Sequence, residues 1–231
     1  SARVEPADIV TEADVAKLPP LVRTYLARTG AVGQPHVYDV RTHWRAEMKS
    51  SPDAPWMAAH AVQHDFFGDE PARLFLMDAS RSGVPFVALH RYIGAEATMQ
   101  VRVASLVNVV DARGPQMNRS ETVTLFNDIC FFAPAALVDV NVVWEPASAR
   151  SIRGTFTNAG NTISAVLTFD AAGDLVDFVS GDRLMSADGK TYESYPWSTP
   201  IRDYKTFGST RSASYGEAIW KQPGGDFVYG R

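Results

Sequence analysis

Hydrophobic and polar positions along the chain change period several times, and each change marks an element. From Pro20 to Thr29 the apolar residues Leu21, Val22, Tyr25 and Leu26 recur at helical spacing, with Pro20 at the first helical position and Gly30 placed to end the run. Ahead of it, Thr11-Glu12-Ala13-Asp14 has the form of a capping box. From Val37 to Met48 the period becomes two. Tyr38, Val40, Thr42, Trp44, Ala46 and Met48 share one face, and Asp39, Arg41, His43, Arg45 and Glu47 share the other. Strand-like runs follow at Met57 to Phe67, Arg73 to Ala79, Val87 to Ile93, Thr98 to Val103 and Leu106 to Val110, parted by Gly, Pro, Asp and Ser.

Between Asn118 and Val138 helical spacing returns. Asn118 can cap with Glu121 three residues on, Val123, Phe126, Cys130 and Ala133 form a stripe, and Pro134 should kink or restart the helix. Strands resume at Val142 to Glu145, Ser151 to Thr157, Thr162 to Phe169 and Leu175 to Arg183, and Asp188-Gly189 has the form of a two-residue hairpin turn. Ile201 to Phe207, Ala213 to Trp220 and Phe227 to Tyr229 are expected to complete the sheet. The pattern predicts a mainly β fold of the α+β class: one large curved antiparallel sheet, a half-barrel or open barrel, wrapping a central helix at residues 118–138. A short N-terminal helical segment (residues 1–30) packs on it, all within a single domain of residues 1–231.

Composition narrows the function classes. Of 231 residues, 45% are hydrophobic and 11% aromatic, and Lys+Arg 22 against Asp+Glu 26 leaves a net charge of -4. That slight acidity argues against nucleic-acid binding, which wants a basic face. The lone Cys130 excludes an internal disulfide and a multi-thiolate metal site, and on the apolar stripe it reads as packing. No apolar run approaches the roughly 20 residues of a membrane helix. The chain opens on Ser1 rather than Met, which reads as a processing boundary.

Neither a Gly-rich phosphate loop nor a Gly-x-Ser-x-Gly elbow is present, so no nucleotide or other cofactor is expected. His60 and His64 have the spacing of a helical zinc pair, but their neighbours alternate as in a strand, where four residues span about 13 Å, so no metal site is expected. Either histidine could still line a cavity. On the central helix, Glu121 and Asp128 lie seven residues apart, about 20° around the axis and roughly 10 Å along it, so both carboxylates project from one face. Turned toward the sheet, they could work in proton transfer; turned outward, they are the wet side of an amphipathic helix. Asn127 lies at the edge of that polar arc and Phe132 crowds it. Near the C-terminus Arg183, Trp197 and Tyr204 form a further group that could hold a planar or acidic ligand, and Tyr92 could contribute in the same way.

These residues carry a resemblance. Leu18-Pro19-Pro20-Leu21-Val22-Arg23-Thr24-Tyr25-Leu26, Trp56 with Gln63, Tyr92 with Gly94 and Met99, and Asp111 with Gly114 and Pro115 resemble the pattern of a bacterial family known only as a domain of unknown function. Glu121, Asp128, the Ala133 to Leu137 segment, Pro196-Trp197 and Glu217-Ala218-Ile219-Trp220 extend the resemblance over nearly the whole chain. Relatives often carry an Arg where this helix has Thr124, so an Arg-carboxylate pair within the helix is not expected here. Family members often look membrane-anchored through a preceding segment, which implies an extracytoplasmic or anchored location. The pattern is also similar to half-barrel lipoprotein carriers, by fold-level analogy alone.

Three readings follow. The first is a binding module holding a lipid or other hydrophobic small molecule between the sheet and the central helix, with Tyr92, Arg183, Trp197, Tyr204, Asn127 and Phe132 as candidate contacts. The second is a metal-independent hydrolase, lyase or isomerase on a hydrophobic substrate, with Asp128 as general acid or base and Glu121, His60 and His64 as further candidates. The third is a structural or partner-binding domain, which a large exposed apolar patch would favour.

Overall fold

The computed structural model describes residues 8–231 apart from 69, 105 and 187; the boundary read at Ser1 lies outside the described residues. Helix α1 (Glu12–Ala16) starts on the capping box, with Thr11 Oγ1 accepting from Asp14 N–H and Asp14 Oδ2 accepting from Thr11 N–H. Helix α2 (Pro20–Thr29) ends on Gly30 at φ 77, in the left-handed region that lets glycine close a helix.

Six strands then run in a meander: β1 (Asp39–Met48), β2 (Met57–Phe66), β3 (Ala72–Arg81), β4 (Val84–Ile93), β5 (Glu96–Val103) and β6 (Val107–Arg113). Helix α3 (Pro115–Phe132) follows, continued after Ala133 by a 3-10 turn (Pro134–Val138). The remaining strands are β7 (Val142–Ser148), β8 (Ser151–Asn158), β9 (Asn161–Phe169), β10 (Leu175–Ser180), β11 (Leu184–Met185), β12 (Glu193–Ser194), β13 (Trp197–Ser198), β14 (Ile201–Phe207), β15 (Thr210–Gly216), β16 (Ala218–Gln222) and β17 (Gly225–Gly230). Thirteen of them form one open antiparallel sheet in the order β6-β5-β4-β3-β2-β1-β17-β16-β13-β10-β9-β8-β7. The chain thus builds one half of the sheet, inserts α3, and builds the other half. The last strand, β17, returns to join the halves beside β1.

Three expectations are corrected. Helix α3 begins at Pro115 rather than Asn118, because Pro suits the first helical position and Asn118 instead accepts Ala97 N–H from β5. Strands β14 and β15 pair only with each other, outside the large sheet. Asp188-Gly189 is not a hairpin turn: Asp188 accepts from the N–H groups of Lys190 and Thr191 in a longer loop between the two residue pairs of β11 and β12.

The core explains the position of α3. The residues from Ser120 to Cys130 are all buried, so this stretch of the helix has no solvated face. Phe126 packs on Phe156 of β8 and Phe178 of β10, with ring centroids 5.2 and 5.6 Å away. Tyr25 of α2 donates its hydroxyl to Cys130 O at 2.8 Å, fixing the N-terminal helices to the end of α3. Cys130 is fully buried, and burial pushes its thiol well above the usual range.

The fit between helix and sheet is tight at Gly154 of β8, where a Cβ would stand 2.9 Å from carbons of both Phe126 and Trp144. Gly154→Ala is expected to cost about 1–3 kcal/mol in urea unfolding by overpacking this contact; an unchanged midpoint would show that the rings yield freely.

Candidate functional site

Strand pairing turns the inner face of β1–β5 into rows of side chains that cross the sheet. Beneath α3 one row reads Val40, Asp65, Arg73, Tyr92 and Ala97, and the next Thr42, Gln63, Phe75, His90 and Met99. Farther from the helix the rows turn apolar and small: Trp44, Ala61, Met77, Ala88 and Val101, then Ala46, Ala59, Ala79, Phe86 and Val103. Within two rows the surface passes from ionised to aliphatic.

The charged row meets the polar side of α3. Arg73, 6% exposed, donates from Nε to Asp128 Oδ2 at 2.7 Å, from one terminal nitrogen to Glu121 Oε2 at 3.1 Å and from the other to Gln63 Oε1 at 3.2 Å. Gln63 Nε2 donates to Asp65 Oδ2 at 2.6 Å and to Asp128 Oδ2 at 2.7 Å. His90 Nδ1 stands 3.5 Å from Glu121 Oε1, and Asp65 Oδ1, 4.0 Å from Arg73 Nε, has no hydrogen-bond partner. Three buried carboxyls therefore face one guanidinium.

This excess of acid settles the protonation pattern. Burial and the neighbouring Asp128 carboxylate push the Asp65 carboxyl up to about 8 against the pull of Arg73. Asp128 is also raised, by burial, with Arg73 and Gln63 opposing. Burial opposes ionisation of Glu121 too, but Arg73, His90 and Arg183 together outweigh it and hold the group down at about 2. Asp65 thus favours its protonated form near neutrality, while Glu121 is the fixed anion.

Arg183, just after β10, enters from the other half of the sheet. Its guanidinium lies 4.5 Å from the ring centroid of Trp197 and 5.2 Å from that of Trp220. Its Nε donates to Thr124 Oγ1 of α3 at 3.2 Å. Thr124 on the helix thus accepts from an arginine of the bend after β10, while Arg73 supplies the partner of Asp128.

The structure gathers only part of the group named from sequence. Glu121 and Asp128 come together around Arg73, and Trp197 and Arg183 stack beside them on Thr124. His60 and His64 occupy the outer face of β2, away from Asp128. His64 contacts Asp39 at 3.1 Å, and His60 lines a shallow outer cleft of about 230 Å³ with His43, Arg45 and Asp78. They do not share a cavity with the acids, because the strand alternation that excluded a shared metal also turns them outward.

Tyr92 is fully buried, its hydroxyl bonded to Thr122 and Asn158, and Asn127 donates to Thr199 Oγ1. Tyr204 donates to Leu175 O and lies beneath Arg211, away from α3's polar side. These three serve packing rather than an open surface. Phe132 is half-buried at the helix end, 4.9 Å centroid to centroid from Trp44. Arg73, Gln63 and Asp65 are not reached as site residues from sequence, and His90 enters only beside Tyr92 as a ligand contact; the signal they share is that each is a polar residue on the otherwise apolar face of an alternating strand.

Two outcomes follow. Arg73→Met leaves buried acids without their cation and should cost about 3–5 kcal/mol in urea unfolding, part of it recovered when Glu121→Gln and Asp128→Asn are added; a neutral single variant would contradict the assignment. Asp65 binds a proton in the fold that the unfolded chain has released, so its contribution to stability is present at acid pH and falls as pH rises from about 4 toward 8. Asp65→Asn should flatten the slope of unfolding free energy between pH 5 and 8; an unchanged slope would place the proton elsewhere.

Among solved structures, a domain from Vibrio parahaemolyticus described as an outer membrane lipoprotein-sorting protein is similar, at 14% identity over 94% of this chain and 90% of that one. The TM-score is 0.45, a likeness too loose to carry anything across. No curated protein matches the chain. Residues 8–231 match the model of a family of unknown function, DUF6544, and the chain belongs to that family.

Proposed function

We propose that the protein binds a lipid or other hydrophobic small molecule on the inner face of β1–β5 where the strands extend past α3. One observation carries this reading. Ala59, Ala61, Met77 and Ala88 form a second hydrophobic cluster with Trp44, Ala46, Met48, Phe75, Ala79, Phe86 and Val101, and every member comes from β1 to β5. A sheet face that packs against another layer takes side chains from that layer, as the main core does from α2, α3 and the sheet. Among the described residues, the second layer reaches this cluster at its edge, where Phe132 of α3 packs on Trp44. Its alanine floor is otherwise covered by its own rim, where Trp44, Met48, Phe75 and Phe86 stay half-exposed. The small floor leaves the volume, and rim side chains, Met48 above all, can swing aside without moving backbone.

The enzymatic alternative has a narrower footing. Asp128 is 3% exposed with Oδ2 shared by Arg73 and Gln63, which leaves His90 as the group of this cluster nearest the open rows. A binding site with a polar end fits this burial better than a general acid that substrate must reach. Such binding suits an extracytoplasmic protein working beside a membrane, and no helix among the described residues is long and apolar enough to cross one.

The test is displacement of 1-anilinonaphthalene-8-sulfonate by lipids, with native mass spectrometry of the protein as purified. The wild type should bind the dye at one site, and Ala61→Trp, which fills the floor, should weaken binding at least about tenfold in protein that circular dichroism shows to be folded. Ala58→Trp on the outer face should leave binding intact. Absence of dye and lipid binding, or undiminished binding by Ala61→Trp, would overturn the proposal.

A further inference from the structure

Arg183 acts on Glu121 from a distance but makes no contact ion pair among the described residues. No carboxylate among the described residues lies within salt-bridge distance of it, and its one hydrogen bond runs from Nε to Thr124 Oγ1. Both oxygens of the nearby Glu121 face other groups, Oε2 toward Arg73 at 3.1 Å and Oε1 toward His90 at 3.5 Å. The two terminal nitrogens of Arg183 therefore have no acceptor among the described residues. Yet the side chain is held in place: it is half-buried, stacked against Trp197 and Trp220 at 4.5 and 5.2 Å, and pinned at Nε. A partly desolvated guanidinium oriented in this way presents one free edge, the geometry that receives a carboxylate through two parallel hydrogen bonds.

The surroundings fix what that edge would take. Thr124 lies on the same side of α3 as Glu121 and Asp128, the helix residues that meet the charged row of the sheet. The alanine rows lie on the same face of β2–β4 as Arg73, the partner of Asp128, the Ala61–Met77–Ala88 row two rows along from it. The free edge and the uncovered apolar rows thus belong to the same concave side of one sheet. Resting on the binding function proposed above, we infer that the ligand is a single-chain anionic amphiphile, a long-chain fatty acid. Its carboxylate is held on the free edge of Arg183, and its chain lies on the alanine rows of β1–β4. A monoanion is favoured over a phosphate because this edge offers the charge of Arg183 alone among the described residues and the ionised Glu121 stands close behind it.

The experiment compares palmitate with hexadecanol, an uncharged molecule of the same chain length, and with dodecyl phosphate, all against the full chain. The wild type should bind palmitate at least about tenfold more tightly than hexadecanol, and Arg183→Met should abolish the preference while hexadecanol binding persists. Arg183→Lys, which keeps the charge but not the paired donors, should fall between. A readout on the wild type alone serves if the variants misfold: the carboxyl of bound [1-13C]palmitate should titrate at lower pH than the same acid in neutral detergent micelles. Equal binding of palmitate and hexadecanol, or tighter binding of dodecyl phosphate, would overturn the carboxylate assignment and leave the hydrophobic site standing. Binding of none of the three would remove both.

Discussion

The guanidinium of Arg73 is the constraint on which the arrangement of helix and sheet depends. Helix α3 carries Glu121 and Asp128 on the side that faces β2–β4, and Asp65 rises from the sheet beneath them, so three carboxyls enter the same dry layer. Without a cation there the helix could not lie across the strands, since an unpaired buried carboxylate is costly to desolvate. Arg73 bonds Asp128, Glu121 and Gln63, and Gln63 ties Asp65 to Asp128. A layer of this kind adds little net stability compared with an apolar one, but it fixes the register of helix on sheet, because a shifted helix would break the bonds of Arg73 and Gln63 to Glu121 and Asp128.

That register determines where the helix stops covering the sheet. Beneath α3 the inner rows are polar and closed; beyond it they are lined by Ala46, Ala59, Ala61, Ala79 and Ala88 and, among the described residues, covered by their own rim and by Phe132 at the Trp44 edge. The helix crosses from Ala97 of β5, where Asn118 accepts a backbone N–H, to Trp44 of β1, where Phe132 packs. The strands are 8 to 10 residues long, so roughly their far halves project past it. An amphiphile laid along this face would find its polar contacts at the helix and its apolar ones at the open end, which is the order in which the sequence of rows presents them.

Strand alternation made much of this legible. The period-two pattern of Val37 to Met48 located β1 and its inner face almost to the residue, and Pro20 with Gly30 bracketed α2. Glu121 and Asp128 were placed on one helix face by spacing alone. Their partner was not, because Arg73 lies 48 residues before Glu121 in a strand whose pairing to β2 and β4 is a long-range property. His60 and His64 drew attention as a pair, yet the alternation that governs β2 turns both away from the acids. Tyr92 and Tyr204 looked like ligand contacts by residue type, and tertiary packing absorbed both. The alanines of the open rows gave no local signal, because a small residue marks an uncovered face only once the rows are assembled.

The central claim is that the inner face of β1–β5 past α3 is a binding surface whose second layer is supplied by a ligand. A crystal structure of the protein grown with a long-chain fatty acid tests this most directly. The account predicts elongated density along Ala59, Ala61 and Ala88, the rings of Trp44 and Phe86 moved outward, and the head group at Arg183. Alanine rows still closed by the rim, with the acid absent or bound elsewhere, would contradict it.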